Sequence, residues 1–135
     1  MTATANHKPL WYLASPYSHP DKEIRKQRFE EVCKAVAYLM NKGVLVFSPI
    51  VHCHPVAEVA ELPKGFEYWK DYDERMISVC DRFLVFQLQG WKESESVKRE
   101  IEFACRLART IYWVDPSKLE EFVKGKRLTG VWGKV

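Results

Sequence analysis

"RFLVFQLQGWKESESVKREIEFACRLARTIYWV", residues 82–114, changes its hydrophobic period twice. It opens with "RFLVFQL" (82–88) and closes with "TIYWV" (110–114), two short apolar runs of the kind a strand buried on both faces requires. Between them "SVKREIEFACRLAR" (96–109) takes a helical period. At about 100° per residue, Val97, Ile101, Ala104 and Ala108 fall on one stripe, flanked by Phe103 and Leu107. Lys98, Arg99, Glu102, Arg106 and Arg109 point the other way. Strand, amphipathic helix, strand is the crossover that joins two parallel strands. One residue breaks the pattern: Glu100 lies inside the apolar arc, where Glu102 does not.

The same alternation extends to both sides. "LWYLA" (10–14) and "VLVFS" (44–48) are two further strands, and a helix over 20–42 starts from Ser18 or Asp21 and ends at Gly43. "PVAEVAEL" (55–62) reads as a short helix and "LPKG" (62–65) as a break. Helices are predicted over about 66–80 and 94–109, with a short one near 117–124. With no repeat, low-complexity tract or linker, residues 1–135 form one domain with its core at about 10–114. The fold class is α/β: a single-domain three-layer sandwich around a mostly parallel, Rossmann-like sheet of about four to five strands.

Composition excludes several functions. The 135 residues are 47% hydrophobic and 29% charged, a globular balance, and a net charge of +3 with acids and bases interleaved does not indicate a duplex-binding surface. No apolar run approaches the length of a membrane span, and Met1 to Pro9 is too polar for a signal peptide. Cys33, Cys53, Cys80 and Cys105 form no C-x-x-C pair, and three of them lie in apolar segments. Buried free thiols and a cytoplasmic location are expected.

In open parallel sheets ligands sit beyond the carboxyl ends of the strands. That selects "SPYSHP" (15–20), "PIVHCHP" (49–55) and "QGWKESES" (89–96). Glu100 lies in the first two turns of its helix, near this crevice. A second inward acid occurs in "YWKDYDERMISVCD" (68–81), where Asp73 is centred on the stripe of Trp69, Met76, Ile77 and Cys80 while Asp71 and Glu74 project outward. An unpaired ionised carboxylate is costly to bury, so two inward acids imply a salt bridge, neutralisation or a site.

In the first helix Arg25 and Arg28 share the side of Ile24, Val32, Val36 and Leu39. Beside a helix N-terminus, with Ser15 and Ser18 at hand, they could cradle a phosphate. Alternatively, one pairs with Glu100 or Asp73 and the other snorkels outward. His52 and His54 would share a face in an extended chain. A zinc site needs a third ligand and only His7 and His19 remain, so no metal is expected and substrate contact or capping is the better reading. "ASPYS" lacks the glycines of a nucleophile elbow and "GVLVFSP" is no phosphate loop.

The ordered set "WYLASPYS", "DYDERMISVCDRFLVF" and "ESVKREIEFACRLARTIYWV" resembles the nucleoside 2-deoxyribosyltransferase family, including its deoxynucleoside 5'-monophosphate N-glycosidase branch. Asp73 and Asp81 keep the family's eight-residue spacing before the third strand, and Glu100-Ile101-Glu102-Phe103-Ala104 keeps its final motif except for the glycine that Glu102 replaces. Ser96-Val97-Lys98 and Ser15-Pro16-Tyr17 stand where the family has glycine-rich turns. This is the look of a divergent branch, of the kind often catalogued only as a domain of unknown function.

The resemblance implies that Glu100 attacks the anomeric carbon of a (deoxy)ribosyl group, Asp73 holds or protonates the leaving base, and Tyr12 orients Glu100. Ser15, Tyr17, Ser18, Arg25, Arg28, His52, His54 and Ser96 are the expected substrate contacts, with no cofactor. The expected partner is a small nucleoside or nucleotide. The resemblance also implies a homodimer or larger oligomer, for which Trp91 and Trp132 are interface candidates by position. A non-catalytic nucleotide-binding module is the rival reading, and a purely structural or interaction domain is third.

Overall fold

The computed structural model describes residues 8–63 and 65–125. Four strands form one wholly parallel sheet in the order β2-β1-β3-β4, with β1 at Leu10–Ala14, β2 at Leu45–Phe47, β3 at Arg82–Phe86 and β4 at Ile111–Val114. Helices α1 (Lys22–Asn41), α2 (Pro49–Ala60), α3 (Phe66–Val79), α4 (Glu95–Arg106) and α5 (Leu119–Gly125) complete the α/β sandwich.

Strand alternation builds two cores from one sheet. Trp11, Leu13, Leu84, Phe86 and Val114 face one side, where Val32, Ala35, Val36 and Leu39 of α1 close over them and Phe122 of α5 packs at the edge. Tyr12, Ala14, Phe83 and Val85 face the other, under Ile77 of α3 and Val97 and Ala104 of α4. The ends of α1 follow local chemistry. Asp21 accepts a hydrogen bond from the Glu23 N–H at 2.9 Å, which selects it over Ser18 as the N-cap. Gly43 (φ 82°) turns the chain out while the Val44 N–H returns to the Leu39 carbonyl at 3.0 Å. Asp81 pins the start of β1, its carboxylate and its N–H both bonding Leu10, each at 2.8 Å.

Two expectations are corrected. The run 49–55 is not extended: Ser48 caps α2 by accepting from the Val51 N–H at 3.2 Å, Pro49 occupies the first turn, and the helix runs on through Pro55, which forgoes one backbone bond. All four cysteines are free, but only Cys53 and Cys80 are buried; Cys33 is half-buried and Cys105 exposed, since their helix faces look outward. Half-buried Trp91 packs against Trp113, ring centroids 5.7 Å apart, while Trp132 and His7 lie outside the described residues. Among the described residues no helix is long and apolar enough to cross a membrane.

Candidate functional site

The strand order reverses between β1 and β3, and the crevice at their carboxyl ends is where such sheets bind ligands. Three polar side chains converge beneath it. Tyr12, fully buried in the middle of β1, stacks on Phe83 with centroids 5.5 Å apart and rings within 7° of parallel. Its hydroxyl donates to Glu100 Oε2 at 3.2 Å. Glu100 is presented by α4, whose N-cap Ser94 accepts from the Val97 N–H at 3.2 Å and so fixes which face meets the sheet. The third is Asp73, carried inward by α3 on the turn between Trp69 and Ile77. Glu100 and Asp73 are only 5% and 6% exposed, and their carboxyls are hydrogen-bonded to each other.

Electrostatics follow from that placement. Burial pushes Asp73 up to about 6, against the bond from Glu100, with the charge of Glu74 adding a little. Burial likewise holds Glu100 well above the usual carboxylate range, helped by the charge of Asp73 and opposed by the bond from Tyr12. Tyr12 is itself raised, first by burial and then by Glu100. Two carboxyls in contact in a dry setting hold one proton between them near neutrality. Asp73 Oδ1 is buried with no hydrogen-bond partner among the described residues.

The acid pair lies in the wall of a pocket whose space, counting the open solvent at its mouth, is about 500 Å³. Tyr17 and Ser18 enter it from the loop after β1, Pro49, Ile50, Cys53, His54 and Ala57 from α2, Gly65, Phe66 and Trp69 from the start of α3, and Ser96 from α4. The Tyr17 hydroxyl is hydrogen-bonded to His54 Nδ1, and the His54 ring stacks on Phe29 with centroids 4.3 Å apart. Burial and the charge of Glu58 raise the Tyr17 phenol, while Arg25, bonded to it, pulls it down.

Of the residues singled out in the sequence, the pocket gathers Tyr17, Ser18, His54, Asp73, Ser96 and Glu100, with Tyr12 behind Glu100. Ser15 is buried at the end of β1 outside the lining. On helical α2, His52 and His54 diverge by about 200° rather than sharing a face. The exposed His52 stacks on Tyr72 with centroids 5.7 Å apart.

Neither arginine pairs with the acids. Arg25 Nη1 donates to the His19 carbonyl at 2.6 Å and borders a hollow that adjoins the pocket at Ser18 and Gly65. Arg28 bonds the carbonyls of Ser18 at 2.9 Å and of Tyr17 and Gln89 at 3.4 Å, tying two loops together outside the pocket.

The sequence reading missed Trp69, Phe66, Ile50 and Cys53 as pocket walls. Trp69 stands four residues before Asp73, hence on the same helix face, and the Ser48-Pro49 helix start places Cys53 beside Pro49; both signals were present. Among the described residues no group of three or more His, Cys, Asp or Glu side chains is placed to hold a metal ion.

No curated protein matches the chain. The family model described as a domain of unknown function, DUF1937, matches residues 10–115, which span both cores and every residue of the acid pair's surroundings, and the chain belongs to that family.

Proposed function

We propose that the protein cleaves or transfers the N-glycosidic bond of a (deoxy)nucleoside or its 5'-monophosphate, with Glu100 as nucleophile. One observation carries this reading: a buried glutamate in a pocket wall accepts a tyrosine hydrogen bond beside a second buried acid in the same wall. Such a pair costs stability and suits two-step glycosyl transfer. Near neutrality the pair's proton rests on Glu100, the more strongly raised of the two, and its passage to Asp73 gives the reactive form, with Glu100 ionised and Asp73 as the acid. A Glu100 oxygen bonds the anomeric carbon, the carbon–nitrogen bond breaks, its electron pair passes to the base nitrogen, and Asp73 supplies the proton that neutralises it. Tyr12 steadies the carboxylate by its hydroxyl. Water then releases the sugar from Glu100, giving an N-glycosidase, or a second base does so, giving a transferase.

Trp69 and Phe66 offer faces for a flat ring, and Tyr17, Ser18, His54 and Ser96 offer polar groups for the sugar. Arg25 stands where a 5'-phosphate at the mouth would meet it. The same reading makes the protein a cytoplasmic homo-oligomer that needs no cofactor. The test is free-base release from deoxynucleosides and their monophosphates, followed by chromatography. Glu100→Gln is expected to abolish release with the fold intact, and turnover at the wild-type rate in that variant refutes the nucleophile. Retained ligand binding with no release by the wild type favours a non-catalytic nucleotide-binding module.

A further inference from the structure

The pocket is built to sense flatness and charge more than the edge of a base. Its walls are the rings of Tyr17, Phe66, Trp69 and His54, with the Trp69 indole N–H already given to the Pro63 carbonyl at 2.7 Å. The Tyr17 hydroxyl and His54 Nδ1 satisfy each other. The remaining neutral polar side chains of the lining are few, Ser18, Ser96 and the Cys53 thiol, with Ser96 Oγ 3.3 Å from Ser94 Oγ, and among the described residues no Lys or Arg lines the pocket. The acid pair lines the same pocket, with Asp73 one turn along α3 from Trp69 and its Oδ1 buried with no hydrogen-bond partner among the described residues. A neutral base is selected by complementary polar groups on its edge. A cationic ring needs aromatic faces and an anionic neighbour.

We propose that the pocket takes N-glycosides whose leaving ring carries a fixed positive charge, a pyridinium or an N-alkylated purinium, held between the aromatic walls with its charge against Asp73. The chemistry rests on the N-glycosidase reading; the binding does not. Binding of the cation displaces the pair's shared proton to solvent, leaving both carboxyls ionised. A Glu100 carboxylate oxygen bonds the anomeric carbon as the carbon–nitrogen bond breaks, and the electron pair neutralises the ring, which leaves without taking a proton. Water then cleaves the glycosyl ester, its oxygen going to the anomeric carbon and one of its protons back to the acid pair, so that one proton per turnover is released.

The binding test uses an isosteric pair, the cation 1-methylnicotinamide and neutral 3-methylbenzamide, titrated calorimetrically against the full chain. The cation is expected to bind about tenfold tighter or more, and Asp73→Asn to lose most of that preference. Equal affinities, no binding of either at millimolar concentration, or a preference unchanged in Asp73→Asn overturns the proposal. Trp69→Leu is expected to weaken the cation more than the neutral ring, and equal weakening counts against the aromatic contact.

The chemical test compares base release from nicotinamide riboside, and from 7-methylguanosine against guanosine, each corrected for spontaneous cleavage. It separates the pyridinium from the purinium source. A cation preference without release of any base refutes the N-glycosidase reading and leaves the cation site standing. Release from neutral nucleosides without a cation preference does the reverse.

Discussion

Asp73→Asn is expected to make the protein more stable above pH 6 while impairing its chemistry. The carboxyl has an ordinary value of 3.8 and is lifted to about 6 by burial, so the folded chain holds this proton more tightly than the unfolded one. The stabilising contribution is therefore fully present below pH 3.8 and is lost as pH rises through about 6. At about 1.36 kcal/mol per pH unit between the two values, the loss amounts to about 3 kcal/mol. The group is almost wholly buried, so solvent screening takes little from this figure.

Asparagine keeps the shape, stays neutral at every pH and can donate to Glu100. The variant is expected to match wild type near pH 4 and to exceed it by about 2–3 kcal/mol at pH 7.5, or roughly 6–15 °C in Tm for a domain of this size. Thermal melts followed by circular dichroism at pH 4, 5.5 and 7.5 measure the difference at each pH, which cancels the titration of every group that Asp73 does not perturb and leaves only Asp73 and its partner Glu100. A difference that does not grow with pH, or a variant less stable than wild type throughout, refutes the reasoning. Base release in the same variant should fall by about a hundredfold or more, the scale of a lost general acid.

Arg25 and Arg28 are expected to separate cleanly. Arg25→Ala should erase a preference for a nucleoside monophosphate over its nucleoside, which a charge-assisted phosphate contact sets at roughly 10–150-fold; titration of both ligands checks it. Arg28→Ala should leave that ratio unchanged and lower stability in urea by about 1–2 kcal/mol, because the carbonyls of Tyr17, Ser18 and Gln89 lose their shared donor. Gly90→Ala should cost about 1–3 kcal/mol, since φ is +96° there and a Cβ would lie 2.3 Å from Arg28 Nη2. In the Arg28→Ala background only the backbone strain remains, so a double-mutant cycle should show the two substitutions to be less than additive.

Periodicity made the element order, the parallel sheet and the inward turn of Glu100 and Asp73 legible, because each is a property of one face of one segment. It could not say where a long side chain ends. Arg28 points inward along its helix as the pattern requires, yet its guanidinium travels to a carbonyl 61 residues away in sequence. The histidines were misplaced for a different reason. Pro55 marks a break by local chemistry, but a helix capped by Ser48 and packed against α1 absorbs one missing bond. Once residues 49–60 are helical, His54 turns to the pocket and His52 to Tyr72. Trp69 was assigned to the core stripe of α3, which is true of its face; that the face looks partly into a cavity depends on where α2 lies.

The two faces of the sheet argue for chemistry over stability at the acid pair. On the α1 face the buried cluster is Trp11, Leu13, Val32, Leu39, Leu84 and their apolar neighbours, with no carboxyl among them. The same sheet on its other face buries Tyr12, and packed against that face are the helices that bring in Asp73 and Glu100. The first face shows that a wholly apolar closure is within reach of this fold. Replacing buried ionic groups by apolar ones of similar volume is often neutral or stabilising by about 1–4 kcal/mol, so Glu100→Met with Asp73→Leu is the combination a stability argument favours. The two acids instead come from different helices, meet at the mouth of the switch between β1 and β3, and leave one carboxylate oxygen without a partner beside an open pocket. A salt bridge would have a cation at that oxygen, and a structural hydrogen bond would have a donor. Neither stands there among the described residues, although Asp73 is itself in the wall of the pocket.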